Sequence, residues 1–200
     1  MEQRMKKITI GLCTVLSALL LINGCDSKQS PDQKQAATQG HRQADKMQAQ
    51  RWDFKLPNVE VWKVGYKVQN NTVNNFIWIP SSQNMGTWKQ NITDKFITDA
   101  AVKGQSPKGL MEQARLSSQG ACEKVNWQIL SESNDQIVYE ADTIACGEGG
   151  KESQHMVGRI QRGHGGIYSL QYFAVQEILD GQMKQTMLDT VQNAKLVENN

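Results

Sequence analysis

Histidine is scarce in this chain. His41, His155 and His164 are the only three, and no two stand at H-x-H or H-x-x-x-H spacing. A metal site needs converging ligands, so no metal and no cofactor is expected. Serine nucleophiles lack support as well: no G-x-S-x-G occurs, and no serine is followed by lysine three residues later. Ser106, within Gly-Gln-Ser-Pro-Lys-Gly, reads as a loop before a helix. The glycine clusters at 147–150 and 163–166 are not followed by a helix whose N-terminus would hold a phosphate, and hairpin turns account for them. Glu140, Asp142, Glu148 and Glu152 read as a charged hairpin rim rather than a converging acid–base site. The chain is therefore expected not to be an enzyme.

An excess of one charge is also missing. The 22 basic and 20 acidic side chains give a net charge of +2. Residues 1–24 hold Arg4, Lys6, Lys7 and Glu2, so the remainder carries 22 − 3 = 19 basic and 20 − 1 = 19 acidic groups. No Lys/Arg stripe is present to displace counterions from phosphates, which excludes a nucleic-acid partner. Any recognition has to come from shape and local chemistry.

Long apolar runs are absent but for one. Residues 1–7 form a basic leader, and residues 8–22 an apolar segment. A membrane-spanning helix needs about 20 apolar residues, so the segment suits a signal peptide instead. It ends in Leu21-Ile22-Asn23-Gly24-Cys25. That string resembles the lipobox of bacterial lipoproteins: Ile22, Gly24 and Cys25 match its three demanding positions, and Asn23 departs at the permissive one. The resemblance implies cleavage before Cys25, a diacylglycerol on its thiol and an acylated new amino terminus. Buried acyl chains contribute about 0.8 kcal/mol per methylene, so several chains anchor firmly. In a Gram-negative host, Asp26 resembles the signal that retains lipoproteins in the inner membrane, with the domain facing the periplasm.

From Asp26 to about Gln50 the chain is rich in Gln, Lys, Asp and Ala, has no aromatic residue, and has Thr38 as its only β-branched residue. Such a stretch buries too little apolar surface to offset its ordering entropy, so 25–50 is expected to be a flexible tether. A fraying helix over 44–50 is the alternative. As a coil the tether would span on the order of 25 to 30 Å.

All five tryptophans lie beyond it, and 51–200 is expected to be one globular domain. Trp62, Val64, Tyr66 and Val68 alternate over one strand; residues 73–79 make a second, closed off by Pro80; Ile92 and Phe96 mark a third after a turn at 81–86. Pro107 near the start and Gly120 beyond the end bound a helix over 107–119 that buries Leu110, Met111 and Ala114. A hairpin follows, with Val125, Trp127 and Ile129 on one strand and Ile137, Tyr139 and Ala141 on the next. A turn centred on Asn134 pairs residues whose numbers sum to 268, which sets those six on one face. A second hairpin, 154–162 with 167–176, turns through Gly163-His164-Gly165-Gly166. Asp180 then caps a helix with Met183, Met187, Val191 and Ala194 on one stripe. The expected fold class is α+β, an antiparallel sheet covered by two helices.

This layout of elements between Trp52 and Val197, together with the lipoprotein start, is similar to the Mog1/PsbP/DcrB-like group of small α+β proteins. The resemblance implies a periplasm-facing lipoprotein without known enzymatic activity.

With Cys13 removed and Cys25 lipidated, Cys122 and Cys146 remain, and the sum of 268 sets them opposite each other. An even pair in an exported domain is expected to be a disulfide. The rivals are a redox pair, which normally sits in C-x-x-C, and a zinc site, which needs four ligands. Trp78 and Trp88 flank the 80–86 loop and carry two readings, a partner or ligand contact and plain core packing. The expected role is a non-enzymatic accessory component that binds a protein partner of the cell envelope. A small-ligand or lipid-binding module is the alternative.

Overall fold

The computed structural model describes residues 48–57, 61–147, 150 and 152–199. The expected leader, the expected lipidation and sorting residues Cys25 and Asp26, and most of the expected tether lie outside them.

The chain forms a mostly antiparallel α+β domain. Strands β1 (Gln50–Asp53), β2 (Trp62–Gln69), β3 (Val73–Pro80) and β4 (Gln90–Thr98) come first. A short helix α1 (Asp99–Val102) and a long one, α2 (Pro107–Ala121), follow. Then come β5 (Cys122–Glu132), β6 (Gln136–Cys146), β7 (Glu152–Gly163) and β8 (Gly166–Val175), a 3-10 turn at Gln176–Ile178, helix α3 (Gly181–Gln192) and β9 (Lys195–Glu198).

Seven strands make one sheet in the order β2-β3-β4-β8-β7-β6-β5, and β1 pairs with β9 in a two-stranded sheet. The large sheet joins two meanders. The first runs β2 to β4; α1 and α2 then carry the chain to the far edge, and the second returns from β5 until β8 pairs with β4. That seam runs from Gln90↔Ala174 to Thr98↔Gly166.

Period-2 alternation sends successive side chains of each strand to opposite faces. On one face Ile92, Phe96, Leu170 and Tyr172 pack with Met187 and Val191 of α3 and with Trp52 of β1. On the other, Ile137, Tyr139, Ala141, Met156 and Ile160 pack with Leu110 and Met111 of α2 and Val102 of α1. The two long helices thus cover opposite faces. Ser106 accepts a hydrogen bond from the Gly109 N–H at the start of α2, and Asp180 accepts one from the Met183 N–H at the start of α3. Each satisfies a first-turn donor that the helix leaves free.

Several details depart from the sequence pattern. Helix α2 continues through Gly120 to Ala121, because an unbroken turn leads directly into the disulfide-held start of β5. A bulge between Val64 and Tyr66 sets Val64 opposite Trp78 but Tyr66 opposite Ile77. The four residues read as one alternating face are therefore split between two faces. In the first hairpin the 268 register holds from Cys122 to Ile129, after which a second bulge pairs Ser131 with Val138. Gln50 begins a strand, and residues 48–50 are not helical as the alternative 44–50 helix would have them. Strands β1 and β9 and helix α1 are too short for periodicity to reveal.

Candidate functional site

Strands β4 and β8 lie at the middle of the sheet, and antiparallel sheets commonly bury one face and wet the other. Toward α3 they bury Ile92, Phe96, Leu170 and Tyr172, with Gln90 and Asp94 as polar exceptions on that face. Toward the other face the same strands carry Asn91, Thr93, Lys95, Ser169 and Gln171, which line a cleft together with Asn75 and Ile77 of β3. Register places these residues in rows. Asn75, Lys95 and Ser169 stand side by side across three strands, and Ile77, Thr93 and Gln171 form the next row.

The cleft exists because α2 packs over β5, β6 and β7 and stops short of β3 and β4. Leu110 of α2 forms one wall, and Met85 and Trp88 from the β3–β4 loop form the other. Local hydrogen bonds shape that loop. The Asn84 side chain accepts from the Gly86 N–H at 2.8 Å, and the Gln83 side chain accepts from the Lys89 N–H at 2.7 Å. Gly65, in the β2 bulge, lets Ile79 and Met85 approach its backbone; a Cβ there would sit 2.7 Å from Ile79 Cδ1 and 3.0 Å from Met85 Sδ.

The inner cleft holds about 90 Å³ and opens past Trp88 into a shallower trough of about 440 Å³ bordered by Lys89, Glu152, Gln176 and Glu177. By volume the inner part equals about three waters. Its polar groups are partly committed. The Gln171 amide donates to the Tyr139 hydroxyl at 2.7 Å, and Thr93 donates to the Asn91 side-chain oxygen at 3.3 Å. Burial pushes the Tyr139 phenol up to about 12 despite the opposing Gln171 bond. Burial likewise holds the Lys95 ammonium below the ordinary lysine value. Asn75 Oδ1 is buried with no hydrogen-bond partner.

Cys122 and Cys146 are joined in a disulfide with Cα atoms 4.0 Å apart, and Cys146 lines the cleft. The two tryptophans singled out in the sequence are separated. Trp88 lines the cleft, whereas Trp78 lies on the opposite face against the α3-side core, so they do not form one contact surface. Asp142 pairs with the buried His155, Nδ1 to Oδ1 at 2.9 Å. Register sets Asp142 and Glu140 on the α3 side, while Glu152 borders the cleft. Those three carboxylates therefore do not converge. Among the described residues no group of three or more His, Cys, Asp or Glu side chains is arranged to hold a metal, and no helix is long and apolar enough to cross a membrane.

Sequence reasoning missed the polar rows. On that strand only Ile92 and Phe96 were singled out, and the available cue was the polar alternation of Asn91, Thr93 and Lys95 between them. No protein-family model matches this chain, and no curated protein is similar to it in sequence.

Proposed function

We propose that this chain is a lipid-anchored, periplasm-facing and non-enzymatic binding protein of the cell envelope, with the cleft above β3, β4 and β8 as its ligand site. The carrying observation is the row Asn75–Lys95–Ser169, polar side chains set side by side on three central strands and lining an open cleft. Desolvating polar groups costs free energy, so a sheet centre keeps a polar row where a solute or solvent meets it.

The place of chain entry supports this reading. Gln48 accepts a hydrogen bond from Asn74, and the Gln50 N–H donates to the Tyr168 hydroxyl, so the chain enters beside the turns at 70–72 and 163–166. The cleft walls Met85 and Trp88 stand at the other end of the nine-residue strand β4, about 30 Å away at the usual rise per residue. The mouth of the cleft, at Met85 and Trp88, is thus at the end of the strand opposite the chain entry. Membership of the Mog1/PsbP/DcrB-like group, on element order, belongs to the same proposal.

Native mass spectrometry of the protein taken from envelopes in mild detergent tests the cleft. A bound small molecule is expected with the wild type and not with a cleft-filling Ser169→Trp variant; its persistence in that variant overturns the assignment. A Cys25→Ala chain is expected to remain unprocessed and take up no palmitate label, and normal labelling sinks the anchor.

A second reading, docking of a protein partner, is favoured by edge strand β2. Val64 and Tyr66 there are 40% and 48% exposed, Val61 just before it is 77% exposed, and an open strand edge with apolar neighbours suits strand addition.

A further inference from the structure

We infer that the chain associates with further copies of itself head to tail, the β2 edge of one sheet taking the β5 edge of the next. This rests on the reading of β2 as a docking edge and names what docks there.

Charge is the first support, because the two ends of the seven-stranded sheet carry opposite signs. The meander β2–β4, residues 62–98, holds four lysines against one aspartate, a net +3. The β5–β6 hairpin, residues 122–146, holds one lysine against five acids, a net −4. Like charges facing each other on neighbouring strands destabilise a pairing, and opposite charges support it. Two β2 edges would line up Lys63 and Lys67 of both copies along one seam, so β2 suits the opposite edge of a second copy better than its own.

Exposed apolar surface is the second support. Among the described residues six large apolar side chains stand exposed, and five of them lie at these two edges: Val61, Val64 and Tyr66 at β2, Ile129 in β5, and Ile144 next to it in β6. Each edge strand also keeps a row of backbone N–H and C=O groups outside the ladder. Joining the edges covers both.

Strand direction is the third support. Every neighbouring pair in the sheet is antiparallel, and with seven strands β2 and β5 therefore run the same way. A copy carried sideways without turning over sets its β5 parallel to β2 with like faces together. The same step can be repeated, which builds an open row of copies rather than a closed dimer. With Gly65 as the extra residue of the β2 bulge, Lys63 can fall beside Glu123, Tyr66 beside Val125 and Val68 beside Trp127, all on the α2 side. One register thus joins an ion pair to an apolar stripe.

The test is cysteine cross-linking of the full-length chain in intact membranes. Directly opposed strand residues lie about 4.8 Å apart, within reach of a disulfide. A Tyr66→Cys chain and a Val125→Cys chain expressed together are expected to give an oxidised dimer, a chain carrying both substitutions a ladder of multiples, and either single variant alone no dimer. Lys63→Glu in the first chain is expected to lower the dimer yield about fivefold, and Glu123→Lys in the second to restore it. Lys63 and Glu123 are both exposed, and near-UV circular dichroism checks that the variants fold. A dimer from either single variant alone means that like edges meet and overturns the head-to-tail order. With p-benzoylphenylalanine in place of Tyr66, photocapture of other proteins alone overturns the second copy but keeps β2 as a docking edge. No photoadduct and no disulfide in any combination overturn both.

Discussion

The guanidinium of Arg159 lies 5.3 Å from the centre of the Trp52 ring, and through this contact the centre of the sheet grips both ends of the domain. Trp52 belongs to β1, while Arg159 also donates to the backbone oxygens of Ala194 at 2.6 Å and Gln192 at 3.2 Å, at the end of α3. The side-chain oxygens of Gln136 and Gln161 complete the set at 2.6 and 2.8 Å. A planar fork with several fixed donors meets all of these at once, and a cation suits the negative end of a helix.

Replacing Arg159 with lysine is therefore expected to cost about 1–3 kcal/mol although the charge is kept, because one ammonium cannot reach four acceptors and stack on an indole. Arg159→Met is expected to cost more. Urea unfolding of the two variants gives the ordering, and equal stability of Arg159→Lys and wild type refutes it.

Asp94 produces a pH dependence. It shares its face with Ile92 and Phe96 and stands between Phe76 and Leu170 in register, and burial raises its carboxyl from 3.8 to about 7. The folded state thus holds a proton that the unfolded chain releases. The stabilisation is full below about pH 4 and is lost as pH rises toward 7, by up to about 4 kcal/mol. Asp94→Asn should flatten that slope and raise the midpoint of thermal unfolding at pH 8. An unchanged slope between pH 4 and 8 would count against burial as the cause.

The disulfide closes a loop with a sequence separation of 24. Converting Cys122 and Cys146 together to serine is expected to remove about 3.5 kcal/mol by the chain-entropy relation. Because Cys146 also lines the cleft, ligand affinity should fall with it. Thermal unfolding with and without reductant measures the first effect, and titration measures the second.

Gly158 lies beneath the Tyr139 ring, and a Cβ there would collide with ring carbon and hydroxyl atoms. The ring is pinned from its other side by Trp127, stacked at 5.0 Å and 17°, so it cannot yield freely. Gly158→Ala is expected to destabilise by about 1–3 kcal/mol. Gly181→Ala, where a Cβ meets nothing within 4 Å, is the neutral control in the same denaturation experiment.

Much of the fold was legible because it is locally coded. The 268 register of the first hairpin follows from alternation and a turn, and it brought Cys122 opposite Cys146 before any tertiary contact was known. The caps Ser106 and Asp180 are local chemistry too. The bulge at Gly65 was not legible, since it depends on where Ile79 and Met85 press. Nor was the division of Trp78 from Trp88, which flank one loop but face opposite sides of the sheet.

By itself, the sequence determined the longer strands, the two long helices and the cysteine pair, because periodicity, capping and turn chemistry act over a few residues. Only the tertiary structure decided that β8 returns to pair with β4, a contact between residues as far apart as Gln90 and Ala174. That pairing sets Lys95 beside Ser169 and Thr93 beside Gln171. Side chains that look solvent-facing along each strand become the floor of one cleft, because α2 covers one half of their face and leaves the other half open.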